Sequence, residues 1–183
     1  SLSSERSTNM FPILETERLR LREIVHSDAQ AIFNCFSNKD VTRYYGQDPI
    51  TDLGQAEQFV EFFAKNFKEK RGIRWGIELK VNKELIGTIG FNAWSPKHKR
   101  AEIGYELHPH YWRKGYATEA VQQVISHGLY GLGLTRIGAV VFPENTASNE
   151  LLIKLGFEKE GILKNYMYQN GVAHDTNVYS LVK

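Results

Sequence analysis

The chain has 183 residues, 42% hydrophobic and 24% charged, with a formal net charge of +2. That length suits one domain with its own core, and the near-balance of charge gives no reason to expect a polyanion partner. A single cysteine, Cys35, excludes an intrachain disulfide and fits a reducing, cytoplasmic setting, and no run approaches the ~20 apolar residues of a membrane-spanning helix.

Residues 1–10 are polar and lack the apolar core of a secretory signal. They read as a flexible arm or partly a cloning remnant, with Met10 a candidate start and residues 11–183 a single domain. Residues 18–24 form the first predicted strand, with Leu19 and Leu21 on one face. Ser27 and Gln30 have capping-box spacing, and Ala29, Ile32, Phe33 and Phe36 line one face of the helix behind them. Residues 44–49, Tyr-Tyr-Gly-Gln-Asp-Pro, read as a loop suited to walling a substrate. Asp52 caps a second helix, with Ala56, Phe59, Val60, Phe63 and Phe67 inward.

Three strands follow at 74–80, 84–91 and 100–107, and their short connections predict an antiparallel meander. A helix opens near residue 116 and runs to about 129, with Ala117, Ala120, Val121, Val124 and Ile125 on its buried face. Residues 136–142 are a strand, and 145–155 a helix ended by Gly156. Residues 158–168 and 174–182 form a hairpin about Asn170-Gly171. This order predicts an α+β fold with a mixed central sheet.

The chemistry concentrates in residues 111–120, Tyr-Trp-Arg-Lys-Gly-Tyr-Ala-Thr-Glu-Ala. A basic turn at a helix start offers free N–H groups and the positive end of the helix dipole to an anion such as a pyrophosphate. Gly115, without a Cβ, lets the backbone come close to it. The stretch resembles the acyl-CoA-binding loop of the GNAT acetyltransferase superfamily, Gln/Arg-x-x-Gly-x-Gly/Ala. Gly115 and Ala117 match its last two fixed positions, and Trp112 stands at the first. The tail Gly-Tyr-Ala-Thr-Glu-Ala is similar to the branch of ribosomal-protein N-terminal acetyltransferases (RimJ/RimL-like). A second segment, Asn145-Thr146-Ala147-Ser148 leading to Leu155-Gly156-Phe157, resembles the family's Asn-x-x-Ser/Ala…Leu-Gly-Phe. The order of elements matches the family over residues 11–183.

The resemblance implies a mixed, mostly antiparallel sheet with helices on both faces and a splayed strand pair, 101–107 and 136–142. It places the pantetheine of acetyl-CoA in that opening. Main-chain groups of Tyr105, Glu106 and Leu107 would polarise the thioester carbonyl. Arg113, Lys114, Gly115, Tyr116, Ala117 and Thr118 would take the phosphates, with Asn145 beside the cofactor. An amine attacks acetyl-CoA directly, so no covalent nucleophile is required. Glu102 is the candidate base, acting through water, and Ser148 the candidate acid, since Leu152 occupies the position where some branches carry a tyrosine.

Other features are weaker. Cys35 reads as core, and His108-Pro109-His110 has no third ligand at a supporting spacing, so no metal is expected. His174-Asp175, Tyr44-Tyr45 and Tyr166-Met167-Tyr168 are candidate contacts for the acceptor. A protein N-terminal α-amine is the leading acceptor. Its pKa of about 7.7–8.0, against about 10.4 for lysine, leaves a free-base fraction a few hundred-fold larger at neutral pH. A small amine, polyamine or antibiotic is the alternative, and a non-catalytic acyl-CoA-binding module a third reading. Neither nucleic acid nor membrane is expected as a partner, and a homodimer is left open.

Overall fold

The computed structural model describes residues 10–183. The expectation of a flexible arm covers residues 1–10, of which 1–9 lie outside the described residues. The chain enters through a two-residue strand, β1 (Leu14–Glu15), and β2 (Leu19–Glu23). Three helices follow: α1 (Ala29–Phe36), the short α2 (Lys39–Thr42) and α3 (Leu53–Lys68). The meander is β3 (Ile73–Leu79), β4 (Leu85–Ser95) and β5 (Arg100–Leu107). Then come α4 (Tyr116–Ser126), β6 (Arg136–Val141), α5 (Thr146–Lys154), β7 (Glu158–Gln169) and β8 (Val172–Val182).

The eight strands form one sheet in the order β1-β2-β3-β4-β5-β6-β8-β7. Every neighbouring pair is antiparallel except β5 and β6. Those two run parallel and pair only at Arg100–Arg136, Ala101–Ile137 and Glu102–Gly138. Beyond Glu102 the strands continue without pairing, β5 to Leu107 and β6 to Val141. Backbone groups on the facing edges are thereby left without a ladder, the condition under which an extended ligand can add to a sheet.

Strand alternation sorts the side chains to two cores. Trp75, Ile77, Ile89, Phe91 and Ile137 pack with Val121 and Val124 of α4. The opposite face carries a smaller cluster, Ile32, Cys35, Phe36, Ala56 and Val60, from α1 and α3. Helices therefore cover both faces, as expected.

Local signals held where the side chain had a single use. The Asp52 carboxylate accepts from the Gln55 N–H at 2.9 Å, capping α3. Gly156 ends α5 with φ +94°, and Asn170 and Gly171 both take positive φ in the last hairpin. Ser27 does not cap α1. Asp28 precedes that helix, and its carboxylate is drawn to Arg22 at 2.8 Å and to the Val25 N–H. The helix predicted to about residue 129 stops at Ser126 and continues as one wide π turn, His127–Gly131. There Gly128 lies so close to Phe91 that a Cβ would sit 2.7 Å from the ring. β4 runs four residues past its predicted end, and β8 starts two residues early, because both extend into the hairpins they form.

Candidate active site

Where β5 and β6 part, a cavity of about 200 Å³ passes between them. Tyr44, Tyr45, Asn92, Glu102 and Met167 line it, with Val121, Leu152, Asn145 and Ser148. It therefore joins residues of the α1–α3 side to residues of α4 and α5. It adjoins a longer cleft of about 570 Å³ that shares Tyr105, Asn145 and Ser148 and reaches Trp112, Arg113, Gly115, Ala117 and Thr118. The two candidate catalytic residues, 46 positions apart in the chain, thus line one cavity.

Glu102 sits at the last position where β5 pairs with β6. Burial raises its carboxyl pKa, and the nearby Arg136 guanidinium opposes that rise only in part. Ser148 lies one turn into α5, whose N-cap Asn145 accepts from the Ser148 N–H at 3.3 Å. The Ser148 and Tyr105 hydroxyls are 3.0 Å apart. Burial raises the Tyr105 phenol, while the bond to Ser148 pulls the other way. Two neutral hydroxyls therefore stand in series at the mouth of the opening.

The basic turn is held in shape from below. Gly115 is left-handed, φ +81°, and forms the N-cap of α4. Arg18 of the β2 approach donates to the Lys114 carbonyl at 2.9 Å and to Glu119 at 2.8 Å. Its guanidinium also covers the Tyr116 ring at 4.3 Å. A Cβ on Gly115 would meet Arg18 Nη2 at 3.2 Å. Arg113 itself takes φ +62°. Trp112 donates its indole N–H to the Leu107 carbonyl at 2.8 Å, so the aromatic at the loop's first position ties the turn to the end of β5. Lys114 contributes a carbonyl to this brace, and its side chain is not among the cleft-lining residues. An unpaired strand edge, a cleft running past it and a helix N-terminus at the far end suit a ligand with an extended amide-bearing arm and an anionic end. Acetyl-CoA has that form.

Glu106 has a different setting from the one its sequence position suggests. It is 4% exposed and held by the hydroxyls of Thr88 and Tyr45, the latter at 3.1 Å, with Arg74 at 3.8 Å. Burial raises its carboxyl pKa, against the pull of Arg74 and those hydroxyls. Arg74 and the role of Tyr45 in this group were not legible from pattern alone. The readable signal was a pair of glycines, Gly90 and Gly104, interrupting two adjacent strands, which marks room for a large neighbour.

The remaining candidates separate. Tyr44, Tyr45 and Met167 line the cavity, whereas Tyr166 and Tyr168 are exposed. Asp175 accepts from Lys164 and from the Asn165 N–H, and His174 stacks on Phe142 at 5.0 Å. Cys35 is buried, its thiol pushed up to about 12 by desolvation, which makes it an inert core residue. His108 and His110 lie 5.1 Å apart, and among the described residues no group of three His, Cys, Asp or Glu is placed to hold a metal. No helix among the described residues is long and apolar enough to cross a membrane.

Comparison with known proteins agrees with this geometry. A family model described as an acetyltransferase (GNAT) domain matches residues 18–158. The uncharacterized N-acetyltransferase YoaA of Bacillus subtilis (strain 168) is 61% identical over 174 residues, 95% of this chain and 98% of the relative. The ribosomal-protein-serine acetyltransferase of Escherichia coli (strain K12) is 35% identical over 99 residues, 54% of this chain and 55% of the relative. A crystal structure of spermidine N-acetyltransferase from Vibrio cholerae in complex with CoA and spermine superimposes with TM-score 0.81. At 24% identity, covering 91% of this chain and 96% of that one, it speaks to the fold.

Proposed function

This chain belongs to the GNAT acetyltransferase family, and from that premise we propose that it transfers the acetyl group of acetyl-CoA to the α-amine of a protein or peptide N-terminus. The observation that carries the choice of acceptor is the charge of the cavity. Among the described residues Glu102 is its one lining carboxylate, while Glu106, deeper in the fold, already faces Arg74. A cavity with a single lining carboxylate, partly offset by the nearby Arg136, suits a single amine. A polyamine would bring further ammonium groups that this cavity does not match, and they would have to reach Asp40 or Glu144 in the adjoining cleft to find a carboxylate.

In this reading the acceptor enters past Tyr44, Tyr45 and Asn92. Glu102 takes the amine proton through water. The C–N bond forms and the C–S bond breaks, and Ser148, backed by Tyr105, supplies the proton that the departing sulfur needs. The braced turn at Gly115 holds the cofactor's phosphates. Acetyl-CoA supplies the activated acyl group, and the protein supplies orientation and proton transfer.

A panel of peptides with free N-termini, the same peptides blocked at the N-terminus but carrying lysine, spermidine and small amines tests the acceptor. The readouts are CoA release and mass spectrometry of the product. Free N-termini should show the highest kcat/KM. Faster turnover of spermidine or lysine overturns the α-amine assignment. CoA binding without turnover of any amine favours the non-catalytic module.

A further inference from the structure

We propose that Arg74 is a positioning residue for acetyl transfer, acting through the Gly104–Tyr105 peptide group at the edge of the β5–β6 opening. The inference rests on the acetyl-CoA reading above and concerns how this chain prepares its own backbone for the thioester.

Arg74 belongs to β3, two strands away from the opening in sheet order. Its register partner on β4 is Gly90, and the partner of Gly90 on β5 is Gly104. These two glycines leave the sheet surface bare along Arg74's line of reach. A Cβ on Gly90 would lie 2.9 Å from Arg74 Cδ, so a larger residue there blocks the path. Across this trough Arg74 Nη1 reaches the Gly104 carbonyl at 2.7 Å, a charge-assisted hydrogen bond to main chain. Arg74 Nη2 donates to the Tyr45 hydroxyl, which in turn donates to Glu106 at 3.1 Å. The guanidinium is 8% exposed, and its Nε has no hydrogen-bond partner among the described residues. A buried cation with one donor left idle is a costly arrangement to keep if packing were its only use.

The peptide group supplies the link to chemistry. It is planar and trans, so the Tyr105 N–H points opposite to the Gly104 carbonyl. The carbonyl faces the guanidinium from β3, and the N–H is therefore directed to the other side of β5, where β6 has parted from it after Glu102. A cation on the carbonyl oxygen draws electron density along the amide and makes its N–H a stronger donor. Arg74 thus fixes the direction of the Tyr105 N–H and strengthens it, where negative charge grows on the acetyl oxygen. The Tyr45 bond adds a second consequence. The acceptor wall and the thioester-facing peptide share one guanidinium, so displacing either disturbs the other.

The test uses isotope-edited infrared spectroscopy of [1-¹³C-acetyl]-CoA bound to the intact protein without acceptor. A polarising N–H lowers the carbonyl stretch relative to free acetyl-CoA. Removing Arg74 alone leaves Glu106 buried without its countercharge, so the informative variant is Arg74→Gln with Glu106→Gln, which keeps that site neutral. The wild-type protein should show the lowered stretch, and the double variant should return it toward the solution value. Its acetyl-CoA affinity by calorimetry should stay within a few-fold, while kcat falls by about tenfold or more, less than the ~10²–10³ typical of deleting an oxyanion donor outright. Arg74→Lys, able to reach one acceptor but not two, should recover part of both signals. A carbonyl band equally lowered in the folded double variant overturns the role of Arg74 and leaves the acetyl-CoA reading intact. The absence of any bound acetyl band in the wild-type protein overturns that reading, and this one with it.

Discussion

Glu102 and Ser148 divide the proton traffic, and the environment of each sets how it should be measured. Burial holds Glu102 above the ordinary carboxylate range, so its ionised, base-competent form is lost on acidification sooner than that of an exposed glutamate. On the acid side log kcat/KM should then fall with slope 1 as the amine protonates and steepen to slope 2 once Glu102 protonates as well. Glu102→Gln should lower the plateau and reduce the slope to 1. An unchanged slope in that variant assigns the proton to another group. Ser148→Ala should lower kcat while leaving acetyl-CoA affinity close to wild type, because protonation of sulfur belongs to the departure step. A loss confined to affinity would make Ser148 a binding residue instead.

At the scale of elements, the start of α4 depends on one backbone conformation and one arginine below it. Gly115→Val places a branched side chain in the left-handed region, at a cost of about 1–2 kcal/mol, and pushes on Arg18. Acetyl-CoA affinity, measured by calorimetry, should fall at least about tenfold, the equivalent of ~1.4 kcal/mol, while circular dichroism stays close to wild type. Unchanged affinity in the folded variant would remove this turn from the cofactor site. The turn was readable because a glycine, two basic residues and a helical apolar period coincide within ten residues. Arg18 was not, because its partners Lys114 and Glu119 lie 96 and 101 positions away and no local period links them. Arg74 was hidden for a related reason. In a strand of alternating character a charged residue reads as outward and solvated, yet this face is covered by α1 and α3. Apart from the two-residue β1, the strands were legible, as were the two long helices and the last hairpin, because each carries its own period and turn chemistry. Their exact ends were not, since hairpin pairing carries strands past the residues whose own propensity favours them.

For the whole molecule the order of the long elements was legible, though the two-residue β1 and the four-residue α2 were not. Nor was the number of residue pairs joining β5 to β6, because pairing between strands separated by a helix is decided by packing. That number has a mechanical meaning. The sheet consists of two leaves, β1 to β5 and β6 to β8, stitched by a seam three residue pairs long. A ligand lying along the unpaired edge would act as further stitching. CoA at 100 times its dissociation constant should stabilise the protein by about 2.7 kcal/mol. Amide exchange should slow most at Tyr105 and at Ala139 to Val141, and least in the β2–β3 ladder. A rise in Tm with protection confined to the turn at Gly115 would place the ligand's arm outside the gap. Release of the product then requires the same seam to slacken. A cross-link that fastened the leaves together beyond Glu102 would yield a protein that withstands heat better and turns over more slowly, with the delay in letting go of CoA rather than in moving the acetyl group.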